Sequence, residues 1–142
     1  MIDLKPIIIN AGVAGVPTVV LLEDWQIISP AILEVVNSLL ASGEVPGMFS
    51  SSELDSALTP LKEMYSSVGF KHRTLFSFFV ERVQQFLHIV LVLDPSDDSF
   101  RMRLESNPAL ISRCDIIWND QWSREAMREV PRSMLADSFT SQ

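Results

Sequence analysis

An α/β layer built on a short parallel sheet is the fold class this sequence predicts, and three observations carry it. Val19 to Leu22 is an unbroken valine and leucine run after Pro17, the composition of a parallel strand covered on both faces. Ser29 and Pro30 precede one apolar stripe of Ile32, Val35, Val36, Leu39 and Leu40, and Gly43 closes it. Those are the N-cap, first-turn proline, core face and terminal glycine of a crossover helix. Further helix-periodic and strand-like stretches alternate to the end of the chain, an order that places helices on a mostly parallel sheet.

Taken in order, Ile2 to Ala11 carries Ile2, Leu4, Ile7, Ile8 and Ala11 near helical spacing, with Gly12 as its expected stop. The strand Val19–Leu22 and the helix begun at Ser29 follow. Gly43-Glu-Val-Pro-Gly47 is turn chemistry, and Ser50 with Glu53 has capping-box spacing for a short helix that Pro60 ends or bends. Residues 44–72 thus read as a short helical insertion within one domain spanning residues 1–142. From Thr74, residues Leu75, Phe76, Phe79, Val80, Val83, Phe86 and Leu87 trace a wide helical face, and Ile89 to Leu93 makes a second buried strand. Asp97 or Asp98 is placed to cap a helix through Leu104, and Asn107 with Pro108 to start a short one. Cys114 to Trp118 reads as a third strand, and Ser123 caps a last helix.

Composition narrows the function classes. A chain of 142 residues suits one domain with a real core. Its net charge of −7 opposes nonspecific binding to phosphate backbones or anionic bilayers, so neither nucleic acid nor membrane is an expected partner. No run approaches the length of a spanning helix. Cys114 is the only cysteine, which excludes an intrachain disulfide, and its apolar neighbours make it a buried small residue.

The stretch Val16-Pro-Thr-Val-Val-Leu-Leu-Glu-Asp-Trp25 is the most informative chemistry. An apolar strand ending in two adjacent carboxylates suits the metal and water side of a nucleotide-hydrolysis site. The chain nevertheless contains no Gly-x-x-x-x-Gly-Lys-Ser/Thr, so the amides and lysine that would hold phosphates are missing.

Five tracts carry a resemblance: Leu21-Leu-Glu-Asp-Trp-Gln26, Ser38-Leu-Leu-Ala-Ser-Gly-Glu-Val-Pro-Gly47, Val83-Gln-Gln-Phe-Leu-His-Ile-Val-Leu-Val92, Glu105-Ser-Asn-Pro-Ala-Leu110, and Arg113 through Trp122. Together, over nearly the whole chain, they resemble the dynein heavy-chain family, nearest to the fourth AAA+ module of the motor ring. The Leu-Leu-Glu-Asp and Glu-Ser-Asn-Pro-Ala-Leu tracts look like the cytoplasmic dynein 2, or intraflagellar-transport, branch. The resemblance implies a partial AAA+ large subdomain that lacks the P-loop strand. The sheet order it implies is 5-1-4-3-2, with strands three, four and five supplied here and strand one missing between five and four. A gap of that kind invites pairing with a second copy or sliding of strand five into the vacancy, so self-association or a rearranged edge is expected. The helix-like start at Ile2 and the polar tail from Asp137 suit a segment of a longer chain.

The same resemblance assigns the site. The family's strand-three pair normally reads Asp then Glu, the first holding Mg²⁺ through water and the second orienting the attacking water. Here Glu23 precedes Asp24. The swap shifts each carboxyl by about an ångström, which harms hydrolysis more than binding. Asp94 falls where the family has a sensor-one asparagine. An ionised aspartate only accepts hydrogen bonds and repels phosphate, so it serves there only if protonated or paired with a cation. Arg113 falls near the arginine finger offered to a neighbouring module. The implied cofactors are ATP or ADP with Mg²⁺ in the intact module, Glu23 being the metal-side residue, and none in the isolated chain. The implied partners are the rest of the heavy chain, adjacent AAA+ modules and, through the parent motor, microtubules. The implied location is cytoplasm and cytoskeleton, in a cilium or flagellum.

Plainer readings stand beside these. Glu23 and Asp24 also suit a strand end that caps the next turn, Asp94 a turn residue of Asp-Pro-Ser-Asp, and Arg113 a surface arginine paired with Glu105. His72, His88 and Cys114 have no metal-ligand spacing, so no such site is expected. Trp118, Trp122 and the phenylalanines from Phe76 to Phe86 read as core. Glu53, Asp55 and Glu63 read as a solvated face. At the level of the whole chain, a weakly hydrolytic or regulatory motor segment competes with a stand-alone α/β interaction module that has no ATPase activity.

Overall fold

The computed structural model describes residues 4–68, 74–119 and 121–139. His72 lies outside them, as does part of the insertion at 44–72. The sheet has two parallel strands, β1 (Thr18–Glu23) and β2 (Leu87–Val92), registered Thr18 to Leu87 through Glu23 to Val92. They are joined through α2 (Pro30–Ser42), α3 (Ser51–Leu58), α4 (Leu61–Val68) and α5 (Leu75–Phe86). Before β1 comes α1 (Leu4–Ile9), which continues as a π-helical turn over Asn10–Ala14. After β2 come α6 (Phe100–Ser106), α7 (Ala109–Ser112) and α8 (Arg124–Phe139).

Local chemistry sets most element ends where the sequence places them. The Ser29 hydroxyl accepts from the Ala31 amide, Pro30 opens α2, and Gly43 closes it at φ 78°. That is a conformation glycine adopts without a Cβ penalty. Ser50 with Glu53 forms the capping box of α3, Thr74 with Ser77 that of α5, and the Ser123 hydroxyl accepts from the Ala126 amide at the start of α8. Two boundaries differ from expectation. The first helix does not stop at Gly12 but runs on to Gly15, which takes the left-handed conformation at φ 68°. Gly12 lies inside the π turn with Phe79 and Val83 against it, so its value is close packing rather than termination. Neither Asp97 nor Asp98 is the N-cap of α6. Ser99 holds that position, and Asp97 instead accepts from the Ser99 amide and hydroxyl to fix the approach turn.

Two apolar clusters hold the molecule. In one, Ile8, Leu39, Leu58, Leu61, Phe78, Phe79 and Val83 join α1, α2, α3, α4 and α5. The helical stretch after Gly43 is therefore anchored by Leu58 and Leu61. In the other, Val20, Leu22, Ile27, Leu33, Val36 and Leu110 pack one face of the sheet against α2 and α7. Arg82 closes the first cluster from the side: its guanidinium donates to the carbonyls of Gly12 at 2.7 Å and Val13 at 3.2 Å and lies over the rings of Phe78 and Phe86.

The expectation of strands covered on both faces is corrected. Val19, Leu21, Val90 and Val92 are 45–64% exposed, because the helices among the described residues cover only the face bearing Val20 and Leu22. The third strand is corrected too. Residues 115–119 take no regular structure, and among the described residues the sheet order is β1-β2. A strand needs a ladder partner, and no described strand stands beside Cys114 to Trp118. The tryptophans called core are exposed for the same reason, Trp118 by 67% and Trp122 by 58%, with Trp118 in edge contact with Phe100. Among the described residues, the tract from Cys114 does not pair with β2, so the expected sliding of that tract against the sheet is not seen.

Candidate functional site

The carboxyl ends of β1 and β2 lie side by side because the strands are parallel and in register. In open α/β sheets that end is where ligands bind. β1 ends at Glu23 and turns at once into a 3₁₀ turn, Asp24–Gln26. The turn is held by a reciprocal cap: the Gln26 side chain accepts from the Glu23 amide at 2.9 Å, and the Glu23 carboxylate accepts from the Gln26 amide. The Trp25 indole N–H also donates to Glu23 Oε2 at 2.8 Å. Glu23 therefore has the partners of a strand-end cap, the plainer of its two sequence readings.

Asp24 points elsewhere. Its Oδ1 accepts from Arg103 Nη1 at 2.7 Å, and Arg103 Nη2 stands 3.3 Å from Asp97 Oδ2. One guanidinium so bridges the loop after β1 and the loop after β2. Asp94 lies in that second loop, where its Oδ1 accepts from the Ser96 hydroxyl at 2.6 Å and amide at 2.9 Å. These bonds, the hydroxyl first, hold the Asp94 carboxyl below the usual range. Its protonated form, one of the two that would suit a phosphate contact, is disfavoured. Asp97 is likewise lowered, first by the Ser99 amide and then by its hydroxyl.

Arg113 stands apart from these groups. It is exposed, just after α7, and lines an open cleft of about 570 Å³ with Leu39, Gln84, His88 and Cys114, near the start of β2 rather than its end. Its expected pairing with Glu105 is not formed, because Arg101 takes that carboxylate at 2.8 Å. His88 is an exposed residue of β2 on this cleft, and Cys114 is half-buried, its thiol pushed up first by burial. Glu53 pairs with Lys5 at 2.8 Å on an exposed surface, so the charged face of α3 is solvated as expected.

Sequence reasoning missed Arg103. The legible signal was a basic residue on the helix following an acidic turn, Asp97-Asp-Ser-Phe-Arg-Met-Arg103. Its reach back to Asp24 was not legible, because the pairing of β1 with β2 brings those residues together.

Residues 1–142 match the family described as the P-loop containing dynein motor region D4. The chain belongs to that family. It is 42% identical over 136 residues to cytoplasmic dynein 2 heavy chain 1 of Homo sapiens and 44% identical over 133 residues to that of Tripneustes gratilla. The dynein-1-beta heavy chain of the flagellar inner arm I1 complex of Chlamydomonas reinhardtii is 39% identical over 137 residues. These alignments cover 94–96% of the chain but 3% of each relative's length. The mixed α/β architecture, a parallel pair with flanking helices, is that of a partial AAA+ domain.

The residues present do not by themselves fit a magnesium nucleotide. Among the described residues no three His, Cys, Asp or Glu side chains converge to hold a metal. Glu23 and Asp24 are both engaged by protein donors. No phosphate-loop sequence occurs in the chain.

Proposed function

We propose that this chain is a non-autonomous piece of the AAA+ ring of a dynein motor heavy chain. On this reading the parent hydrolyses ATP to move toward microtubule minus ends, in retrograde intraflagellar transport, in the cytoplasm and cytoskeleton of a cilium or flagellum. The observation that carries it is the match to the dynein D4 family along residues 1–142, with cytoplasmic dynein 2 heavy chains among the relatives. The module that contains this segment binds ATP or ADP with Mg²⁺, with phosphates held by sequence outside it. Glu23 is then its metal-side carboxylate and Asp24 its water-side one. Arg113, exposed and away from that end, is free to serve a neighbouring module as a finger.

Hydrolysis in this module is weak, and its part is to relay nucleotide state between neighbours. Three features support that: the inverted order Glu23-Asp24, an Asp94 whose ionised form is favoured by Ser96, and an Asp24 already neutralised by Arg103. In the sheet, the family's missing strand one belongs between β2 and the tract from Cys114, beside the cleft that Arg113 lines. Left open, that edge of β2 pairs with a second copy. A monodisperse monomer by light scattering would contradict the pairing.

The primary test is a titration of Mg-ATP into this chain, followed by the fluorescence of its tryptophans, of which Trp25 adjoins Asp24. No saturable change up to millimolar nucleotide is the expected result, and micromolar binding would overturn the reading of a segment without its phosphate loop. In the full heavy chain, Glu23→Gln with Asp24→Asn should leave most ATP turnover intact. Loss of most turnover would refute a weakly hydrolytic module.

A further inference from the structure

We infer that Arg103 is a latch that couples the loops following β1 and β2 and governs whether Asp24 is available to anything outside the protein. The inference stands on geometry and goes beyond the nucleotide reading. Arg103 Nη1 lies 2.7 Å from Asp24 Oδ1 and Nη2 lies 3.3 Å from Asp97 Oδ2. The three side chains are 24%, 27% and 35% exposed, so they are partly shielded from water but still open to a ligand. A planar guanidinium with donors at both Nη positions suits two carboxylates at once, which a lysine ammonium reproduces less well.

Each end of the bridge is fixed by the chain around it. Asp24 opens the 3₁₀ turn that Glu23 and Gln26 cap, so it cannot shift without disturbing the end of β1. Asp97 is bound to the amide and hydroxyl of Ser99, immediately before α6. Arg103 itself is held through its backbone: the carboxamide of buried Asn107 donates to the Arg103 carbonyl at 2.8 Å. The amide of Ala109, two residues on, donates to Asn37 Oδ1 of α2 at 2.9 Å. The latch thus ties the end of β1 to α6, and the backbone from Asn107 to Ala109 carries that tie on to α7 and α2.

The consequence is a two-state coupling. With the latch closed, the Asp24 charge is neutralised inside the protein and the two loops move as one. Anything that draws Asp24 away from Arg103 leaves the guanidinium held by Asp97 alone and α6 with one tie fewer to the end of β1. By linkage, anything that displaces α6 loosens Asp24 to the same degree.

The test is hydrogen exchange by mass spectrometry in the full-length polypeptide that carries this segment, reading peptides over 24–28 and 94–99. Arg103→Gln should speed exchange in both loops by roughly 5–30-fold, the factor that corresponds to one or two kcal/mol. Asp97→Asn, which leaves the Asp24 contact in place, should still speed exchange at 24–28, the loop it does not belong to. Arg103→Lys should restore part of the protection by returning the charge. Acceleration confined to the substituted loop overturns the latch, as does equal protection in Arg103→Gln and wild type. Should Arg103→Gln unfold the segment, Asp97→Asn decides alone: cross-loop acceleration supports coupling, and its absence refutes it.

Discussion

Gly12→Ala sets two physical effects against each other and has a calculable winner. In a helix interior, replacing glycine by alanine normally stabilises by about 0.5–1 kcal/mol, because alanine loses less backbone freedom on folding. At Gly12 the new Cβ would lie 2.3 Å from Phe79 Cε2, 2.7 Å from Phe79 Cδ2 and 2.8 Å from Val83 Cγ2. Ordinary contact begins near 3.4 Å, so the Phe79 ring would have to retreat by about 1.1 Å. Phe79 is 3% exposed and Val83 1%, both inside the cluster that joins α1 to α5, so a retreat of the ring disturbs the packing of that cluster. Overpacking a filled core costs about 1–3 kcal/mol, more than the helical gain returns. A net loss of about 1–2 kcal/mol is therefore expected, read as a lower urea midpoint with an unchanged slope. In a Phe79→Leu background the same substitution should become neutral or stabilising, a coupling of about 1–3 kcal/mol. A Gly12→Ala chain as stable as wild type would refute the packing account of the π turn.

Three further outcomes are expected. Arg82→Met keeps much of the apolar stem but abandons the carbonyls of Gly12 and Val13, so a loss of about 2 kcal/mol and faster hydrogen exchange over residues 10–15 should follow, checked by denaturation and exchange. Leu61→Ala should cost about 2–5 kcal/mol in urea denaturation because Leu61 is a core residue, whereas Glu63→Ala on the same helix should stay within about 0.5 kcal/mol. Glu53 is lowered from 4.5 to about 2, first by its hydrogen bond from Lys5 and then by those from Ser50. A lowered carboxylate stabilises fully above its unfolded value and loses that contribution as pH falls through its folded one. The difference in stability between wild type and Glu53→Gln should thus shrink between pH 4.5 and about 2 and be flat above that window.

The candidate site was only half legible in the sequence. Glu23 and Asp24 announce themselves as paired acids at the end of an apolar run, and their position at the carboxyl edge of a parallel pair is as expected. What engages them is not legible. The indole N–H on Glu23 comes from a neighbour two positions on, but the guanidinium on Asp24 comes from a helix beyond the second strand. The Ser50 cap was readable because a capping box involves residues three apart.

By itself the sequence determined the elements that depend on local interactions. Ser29, Pro30 and Gly43 bound α2, the valine and leucine run makes β1, and Ile89 to Leu93 overlaps β2, because caps, proline geometry and strand composition act over a few residues. The tertiary structure alone decided whatever needs a distant partner. Cys114 to Trp118 has the composition of a strand, but a strand exists only when a neighbour completes its hydrogen bonds. Val19 and Leu21 look as apolar as Val20 and Leu22, yet helices pack against one face of the pair and leave the other exposed. Gly12 reads as a stop and is a packing site, because Phe79 and Val83 arrive from α5 to fill the space where a side chain would be.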